Sequence, residues 1–289
     1  MGVAEKFQNF CSNIRISDTN VSNISYRYKQ ITKRLNTDFY VSTSETNHSL
    51  YVGSYGRDTE IHISDIDMLF ILPYDVYVQY DNYKGNGQSA LLQAVKNSIQ
   101  KTYNSYIKAD GQVVKVDFTD GINFEIVPCF INTDKSYTYP DSNNGGSWKT
   151  TNPKPEIEEI RQANILYNKN LKQLCRMARA WKDKWDVPMG GLLIDTLAYN
   201  FIKTWENKDK SFLYYDFMTR DFLKYLKEQN ENQSYWLAVG SNQYVWRTGK
   251  FEYKALQCYN IAIKAIDYDT NGNEYSANEK WREIYGTKF

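Results

Sequence analysis

Along residues 22–40 (SNISYRYKQITKRLNTDFY) the apolar positions Ile24, Tyr28, Ile31 and Leu35 recur at the spacing of one helix face. The intervening positions are polar and partly basic, which predicts an amphipathic helix. Residues 88–107 (QSALLQAVKNSIQKTYNSYI) predict a second helix. Between them MLFILP (68–73) is an unbroken apolar run that stops at proline and predicts a buried strand. VVKVDF (113–118) and INFEIVPCF (122–130) alternate on either side of Thr119-Asp120-Gly121, and Asp-Gly in that setting predicts a hairpin. Residues 133–155 are rich in turn formers and read as a long ordered loop, the seam between two halves. Beyond it helical patterns follow over 157–185, 192–205, 212–228 and 251–267, broken at Pro188-Met189-Gly190-Gly191. Strands and helices first, helices alone afterwards, predict an α+β chain: a core over 1–150 and a helical lobe over 151–289.

Composition narrows the function. The 289 residues are 42% hydrophobic, enough for a sizeable core. Lys+Arg 35 against Asp+Glu 34 leaves +1, so no strong duplex nucleic-acid footprint is expected. Cys11, Cys129, Cys175 and Cys258 stand singly, and His48 and His62 are the two histidines. Buried free thiols in a reducing compartment are expected, and a Cys/His zinc site is not. The N-terminus has no apolar h-region, Lys6 stands where a myristoylation motif needs Ser or Thr, and no run of 18 apolar residues occurs. The expectation is a cytoplasmic protein with no membrane segment.

The costly feature is VGSYGRDTEIHISDIDMLFIL (52–72). Asp65 and Asp67, two apart on a strand, point to one face. At ~4 Å and an effective dielectric near 20 they repel by roughly 4 kcal/mol, which a divalent cation offsets directly. Gly53-Ser54 precedes them; glycine lets a phosphate approach the backbone, and serine supplies a hydroxyl. A third acid is needed on a neighbouring strand for two-metal chemistry, and Asp117 and Glu125 are the candidates. With a two-residue turn at Asp120-Gly121, residue 117 pairs with 124 and 116 with 125, so the two acids face opposite sides of the hairpin. Arg176, Arg179 and Lys182 form a basic stripe on one predicted helix.

The string G-S-x(10)-D-I-D resembles the signature of the polymerase-β-like nucleotidyltransferase superfamily. The longer stretch 52–73 resembles its bacterial branch related to cyclic GMP-AMP synthase and oligoadenylate synthase, the CD-NTases with a SMODS domain. FEIVPCF (124–130), residues 137–157 and LCRMARAWKDKWDVPMGGLLIDTLAY (174–199) resemble the same branch. The resemblance implies a mixed-sheet nucleotidyltransferase core plus a C-terminal helical lobe, with the active site in the cleft between them. It implies synthesis of a cyclic or linear oligonucleotide messenger from ATP, GTP, UTP or CTP in anti-phage (CBASS-type) signalling. It favours Glu125 as the third acid, because Phe124-Glu125-Ile126-Val127-Pro128 matches the family pattern and Asp117 does not. Asp65, Asp67 and Glu125 would then hold two Mg²⁺ or Mn²⁺ ions, and Gly53, Ser54, Arg179 and Lys182 the nucleotide. A regulatory protein or effector of the same defence system is the implied partner. Relatives carry a polar residue and a stacking aromatic where Gly190, Gly191 and Leu192 stand here, so Tyr55, Tyr137 and Tyr139 are the alternatives for stacking. GSNQYVWR (240–247) resembles the family's late loop beside the nucleotide. Two rival readings share these residues: a same-fold enzyme acting on tRNA or a small molecule, and a nucleotide sensor without catalysis.

Overall fold

A computed structural model describes residues 2–61 and 65–289. In chain order the elements are α1 (Val3–Asn13), α2 (Asp18–Tyr40), β1 (Ser49–Tyr51), α3 (Gly53–Arg57), β2 (Asp65–Ile71), α4 (Tyr74–Asp81), α5 (Gly87–Gln100), β3 (Tyr106–Asp110), β4 (Val113–Asp117), β5 (Asn123–Ile131), β6 (Tyr137–Asp141) and β7 (Ser147–Thr151). There follow α6 (Pro153–Leu166), α7 (Asn170–Trp185), α8 (Gly191–Thr204), α9 (Tyr215–Lys227), β8 (Tyr235–Leu237), β9 (Tyr244–Trp246), α10 (Glu252–Thr270) and α11 (Glu274–Tyr285). By internal contact the chain forms two units: Ile16–Gly56 with Ile63–Lys154, and Met1–Arg15 with Arg57–His62 and Pro155–Phe289.

The first unit is a mixed sheet of order β1-β2-β5-β4-β3, with β6 and β7 continuing from β5. β2 and β5 run parallel and the other pairs are antiparallel. Alternation decides the faces. Ile66, Met68 and Phe70, Val114 and Val116, and Phe124 and Ile126 are buried in one cluster with Ile24, Tyr28, Ile31 and Leu35 of α2 and Leu91, Leu92, Val95 and Ile99 of α5. The helix face read from spacing is therefore the face that covers the sheet.

Three local expectations are corrected here. The helix expected over 88–107 stops at Gln100, and its last residues enter edge strand β3, where Ile107 pairs with Val116. A five-residue edge strand lacks its own periodic signal, and pairing with β4 decides its state. The long loop expected over 133–155 contains the β6–β7 hairpin, with Tyr139 opposite Lys149. Its turn formers concentrate at 142–146, where Asn144, Gly145 and Gly146 take positive φ. Finally, β4 and β5 are joined by residues 118–122 rather than a two-residue turn. The pairing is Val116 with Phe124 and Lys115 with Glu125, one residue away from expectation. Arg27 of α2 holds Asp120 through two hydrogen bonds of 2.8 Å and lies 4.0 Å over the Phe118 ring, which fixes the longer connection.

The second unit is helical. Its members include α1, which the sequence reading put in the core over 1–150. Phe7, Phe10, Cys11 and Ile14 give α1 an apolar face that is buried with Trp281 and Tyr285 of α11. The Phe7 and Trp281 rings lie 5.1 Å apart edge to face, and Phe10 and Tyr285 4.6 Å apart. All four cysteines are buried free thiols, as expected. No helix among the described residues is long and apolar enough to cross a membrane.

One buried acid in this unit has no salt bridge among the described residues, and the charge of Arg220 only partly opposes its burial. Asp216, 5% exposed in the first turn of α9, accepts the Phe217 N–H at 2.7 Å. Burial pushes its carboxyl up to about 6, and the Asp269 charge adds to the push. The folded protein thus binds this proton more tightly than the unfolded chain, so stability falls as pH rises from about 4 through 6. Asp216→Asn is expected to raise stability by about 1–3 kcal/mol at pH 7.5 and by nothing below pH 4. Thermal melts at the two pH values check it.

Candidate active site

The candidate site is built within the sheet unit. Asp65 and Asp67 lie on β2, on the face opposite Ile66 and Met68; Asp65 is exposed and Asp67 half-buried. In the parallel pairing Asp67 stands level with Glu125 of β5, and Asp65 level with Asn123. The three acids therefore share one face of adjacent strands.

Gly53 closes the site from the β1–α3 turn. The Val52 N–H donates to the Asp67 carbonyl at 2.9 Å, and Gly53 takes φ +62°. A Cβ on Gly53 would lie 1.9 Å from Asp67 Oδ2 and 2.8 Å from its Cγ. The Asp67 carboxylate thus fills the space a side chain at 53 would need, which is the physical reason for glycine here. Ser54 follows at the second position of α3.

The observed register changes the place of Asp117. With Lys115 opposite Glu125, the odd-numbered residues of β4 and β5 share a face, so Asp117 and Glu125 are on the same side and not on opposite sides. The same shift brings in a residue that the sequence reading left out. Lys115 is ion-paired with Glu125 Oε1. That hydrogen bond raises the Lys115 ammonium's pKa, burial opposes it, and the charges of Glu125, Asp65 and Asp117 add to it. Its signal was visible in VVKVDF, as a polar residue on the same alternating face as Asp117.

The donor set is made of hard carboxylate oxygens gathered on one face of adjacent strands, the chemistry that Mg²⁺ or Mn²⁺ takes. Among the described residues no three His, Cys, Asp or Glu side chains converge closely enough to enclose an ion. Glu125 is turned to Lys115 instead.

Residues 1–164, more than half the chain, match the model of the Second Messenger Oligonucleotide or Dinucleotide Synthetase (SMODS) domain. The chain belongs to the SMODS family. It is a nucleotidyltransferase of the kind that makes oligonucleotide or dinucleotide second messengers from nucleoside triphosphates. A probable cyclic nucleotide synthase of Bacillus cereus strain VD146 is 22% identical over 274 residues, 82% of this chain and 80% of that protein. The CD-NTase CdnG of Bradyrhizobium diazoefficiens, solved with GTP, superposes with TM-score 0.68 at 8% identity over 97% of this chain and 94% of its own. CdnC of E. coli MS115-1, solved as a CdnC:HORMA complex, gives 0.65 at 14% identity over 95% and 94%. These likenesses establish a mixed nucleotidyltransferase sheet followed by a helical region as the SMODS fold of this chain.

The basic stripe of this SMODS protein is used differently from expectation. Arg179, 7% exposed, donates from Nη1 to Asp195 Oδ1 at 2.5 Å and from Nη2 to Asp195 Oδ2 at 2.9 Å. Its Nη2 also reaches the Gly191 carbonyl at 3.1 Å. Asp195, fully buried in α8, further accepts from Arg57 Nε at 2.8 Å and Thr59 Oγ1 at 2.9 Å. Burial pushes Asp195 up, but the Arg179 and Arg57 guanidiniums outweigh it and hold the carboxyl down at about 2. Arg179 is thus committed to the interior and is not free for a triphosphate. Arg176 is likewise buried and donates to the Asp58 carbonyl at 2.7 Å. Of the stripe, Lys182 keeps a half-exposed side chain, 3.5 Å from its neighbour Asp183. The signal for the buried cluster was Asp195 alone in the apolar run LLIDTLAY.

Among the tyrosines considered for base stacking, Tyr137 is fully buried and removed from that role, while Tyr55 leans on Tyr51 at 4.9 Å. The stretch 240–247 forms the turn and second strand of the β8–β9 hairpin, with Tyr235 opposite Trp246. Its Ser241 hydroxyl donates to Glu156 at 2.8 Å.

Proposed function

We propose that this protein joins nucleoside triphosphates into a cyclic or linear oligonucleotide messenger, with Asp65, Asp67 and Glu125 as its metal-holding acids. The observation that carries the reading is the parallel register that sets Asp67 level with Glu125, on the face shared with Asp65. Two divalent cations, when bound there, supply charge neutralisation for the triphosphate and a lowered pKa for the attacking ribose hydroxyl. Asp65, Asp67 and Glu125 are the residues that would hold them. Gly53 leaves its Cβ space to the Asp67 carboxylate, and in the turn it forms with Ser54 the serine hydroxyl donates to the phosphates. Lys182 stays in the proposal as a triphosphate contact, whereas Arg179 becomes a structural residue of the helical unit. The acceptor hydroxyl gives up its proton to solvent, its oxygen bonds to the α-phosphorus, and the bond from that phosphorus to pyrophosphate breaks in line.

The GTP in the CdnG structure supports nucleoside triphosphates as substrates. The CdnC:HORMA complex supports a regulatory protein as partner. The family supports a place in an anti-phage (CBASS-type) pathway, and four buried free thiols support a reducing, cytoplasmic compartment. Incubation with ATP, GTP, UTP and CTP and Mg²⁺ or Mn²⁺, with no other acceptor, is expected to release pyrophosphate and yield oligonucleotides. Mass spectrometry and nuclease sensitivity identify the product. Turnover that requires added tRNA or a small molecule would point to the same-fold rival, and nucleotide binding without pyrophosphate to a sensor.

A further inference from the structure

The acid-bearing face of the sheet carries its own cation. Lys115 stands opposite Glu125 in the β4–β5 register and is ion-paired with it, while its side chain remains 40% exposed. Asp65, Asp67, Asp117 and Glu125 lie on the same face of three adjacent strands as this ammonium. We propose that Lys115 is a built-in competitor for the divalent cation: it holds Glu125 until a cation arriving with a nucleotide's triphosphate displaces it. The inference rests on the reading of Asp65, Asp67 and Glu125 as metal-holding.

The physical grounds are direct. An ammonium on Glu125 occupies a lone pair the metal would use, and it adds like charge beside a dication. Lysine's flexible stem lets the head swing away once displaced. Asp117, two residues along the same strand face, offers the displaced ammonium a new partner. A bare cation gains only the carboxylates. A cation carrying a triphosphate also brings negative charge that a neighbouring ammonium attracts. Lys115 therefore favours loading of metal and nucleotide together. It is a positioning residue, acting through Glu125.

The test is Mn²⁺ binding, read by the paramagnetic resonance of free Mn²⁺ without turnover. Lys115→Met and Lys115→Gln are compared with the wild type and Lys115→Arg; Asp65→Ala with Asp67→Ala gives the baseline. Either neutral variant is expected to bind Mn²⁺ roughly tenfold more tightly than wild type at low ionic strength. Lys115→Arg is expected to match wild type, and the gap to shrink with added salt. Having two neutral variants guards against one that fails to fold. Equal Mn²⁺ affinity in wild type and both neutral variants, all lost on removing Asp65 and Asp67, would overturn the competitor role and leave the acid site standing. Absence of any Mn²⁺ binding that depends on Asp65 and Asp67 would overturn both.

Discussion

Exchange of both Asp65 and Asp67 for alanine is expected to leave a folded protein whose pyrophosphate release falls by at least about 10⁴-fold. The fold should survive because neither carboxylate carries the core. Asp65 is exposed and Asp67 half-buried, while Ile66, Met68 and Phe70 of the same strand keep the buried face. Removing two like charges from one face also relieves their mutual repulsion. The melting temperature should therefore stay within a few degrees of wild type. Turnover should not, since Asp67, level with Glu125 and against the Gly53 turn, and Asp65 on the same face are the proposed metal-holding acids. A folded double variant that still releases pyrophosphate would remove these acids from the chemistry.

The second large effect concerns stability and not turnover. Asp195→Ala leaves the buried guanidiniums of Arg179 and Arg57 without their shared carboxylate, and Thr59 without its acceptor. Breaking one side of such a buried cluster costs about 3–5 kcal/mol, which for a unit of this size lowers the melting temperature by roughly 10 °C. The pH dependence has a definite sign. The Asp195 carboxyl is held down at about 2 in the folded protein, below its ordinary value near 3.9. Its stabilising contribution is full above pH 5 and fades as pH falls from about 4 toward 2. The gap between wild type and Asp195→Ala should close over that window. A melting temperature unchanged at pH 7 would show that Arg179 is not tied to the interior.

The difference between these two residues shows how much was legible beforehand. Asp65 and Asp67 announce themselves because strand alternation is local: two residues apart means one face, whatever the rest of the chain does. Asp195 and Arg179 each look ordinary alone. One is an acid in an apolar helix and the other a base in a stripe, and only packing of the two helices reveals a pair.

The sequence alone determined the periodic features of this protein. Ile24, Tyr28, Ile31 and Leu35 are the covering face of α2, and β2 is the buried strand with its acids outward. These follow from spacing within a few residues, and so does the family signature. Tertiary structure alone decided the β4–β5 register, and with it the shared face of Asp117 and Glu125 and the Lys115 pair. It also placed α1 among the C-terminal helices and turned Arg179 inward. Each of these depends on a partner far along the chain, such as Arg27 on Asp120 or Trp281 on Phe7, and side chains distant in sequence exert no force on each other until the fold brings them together.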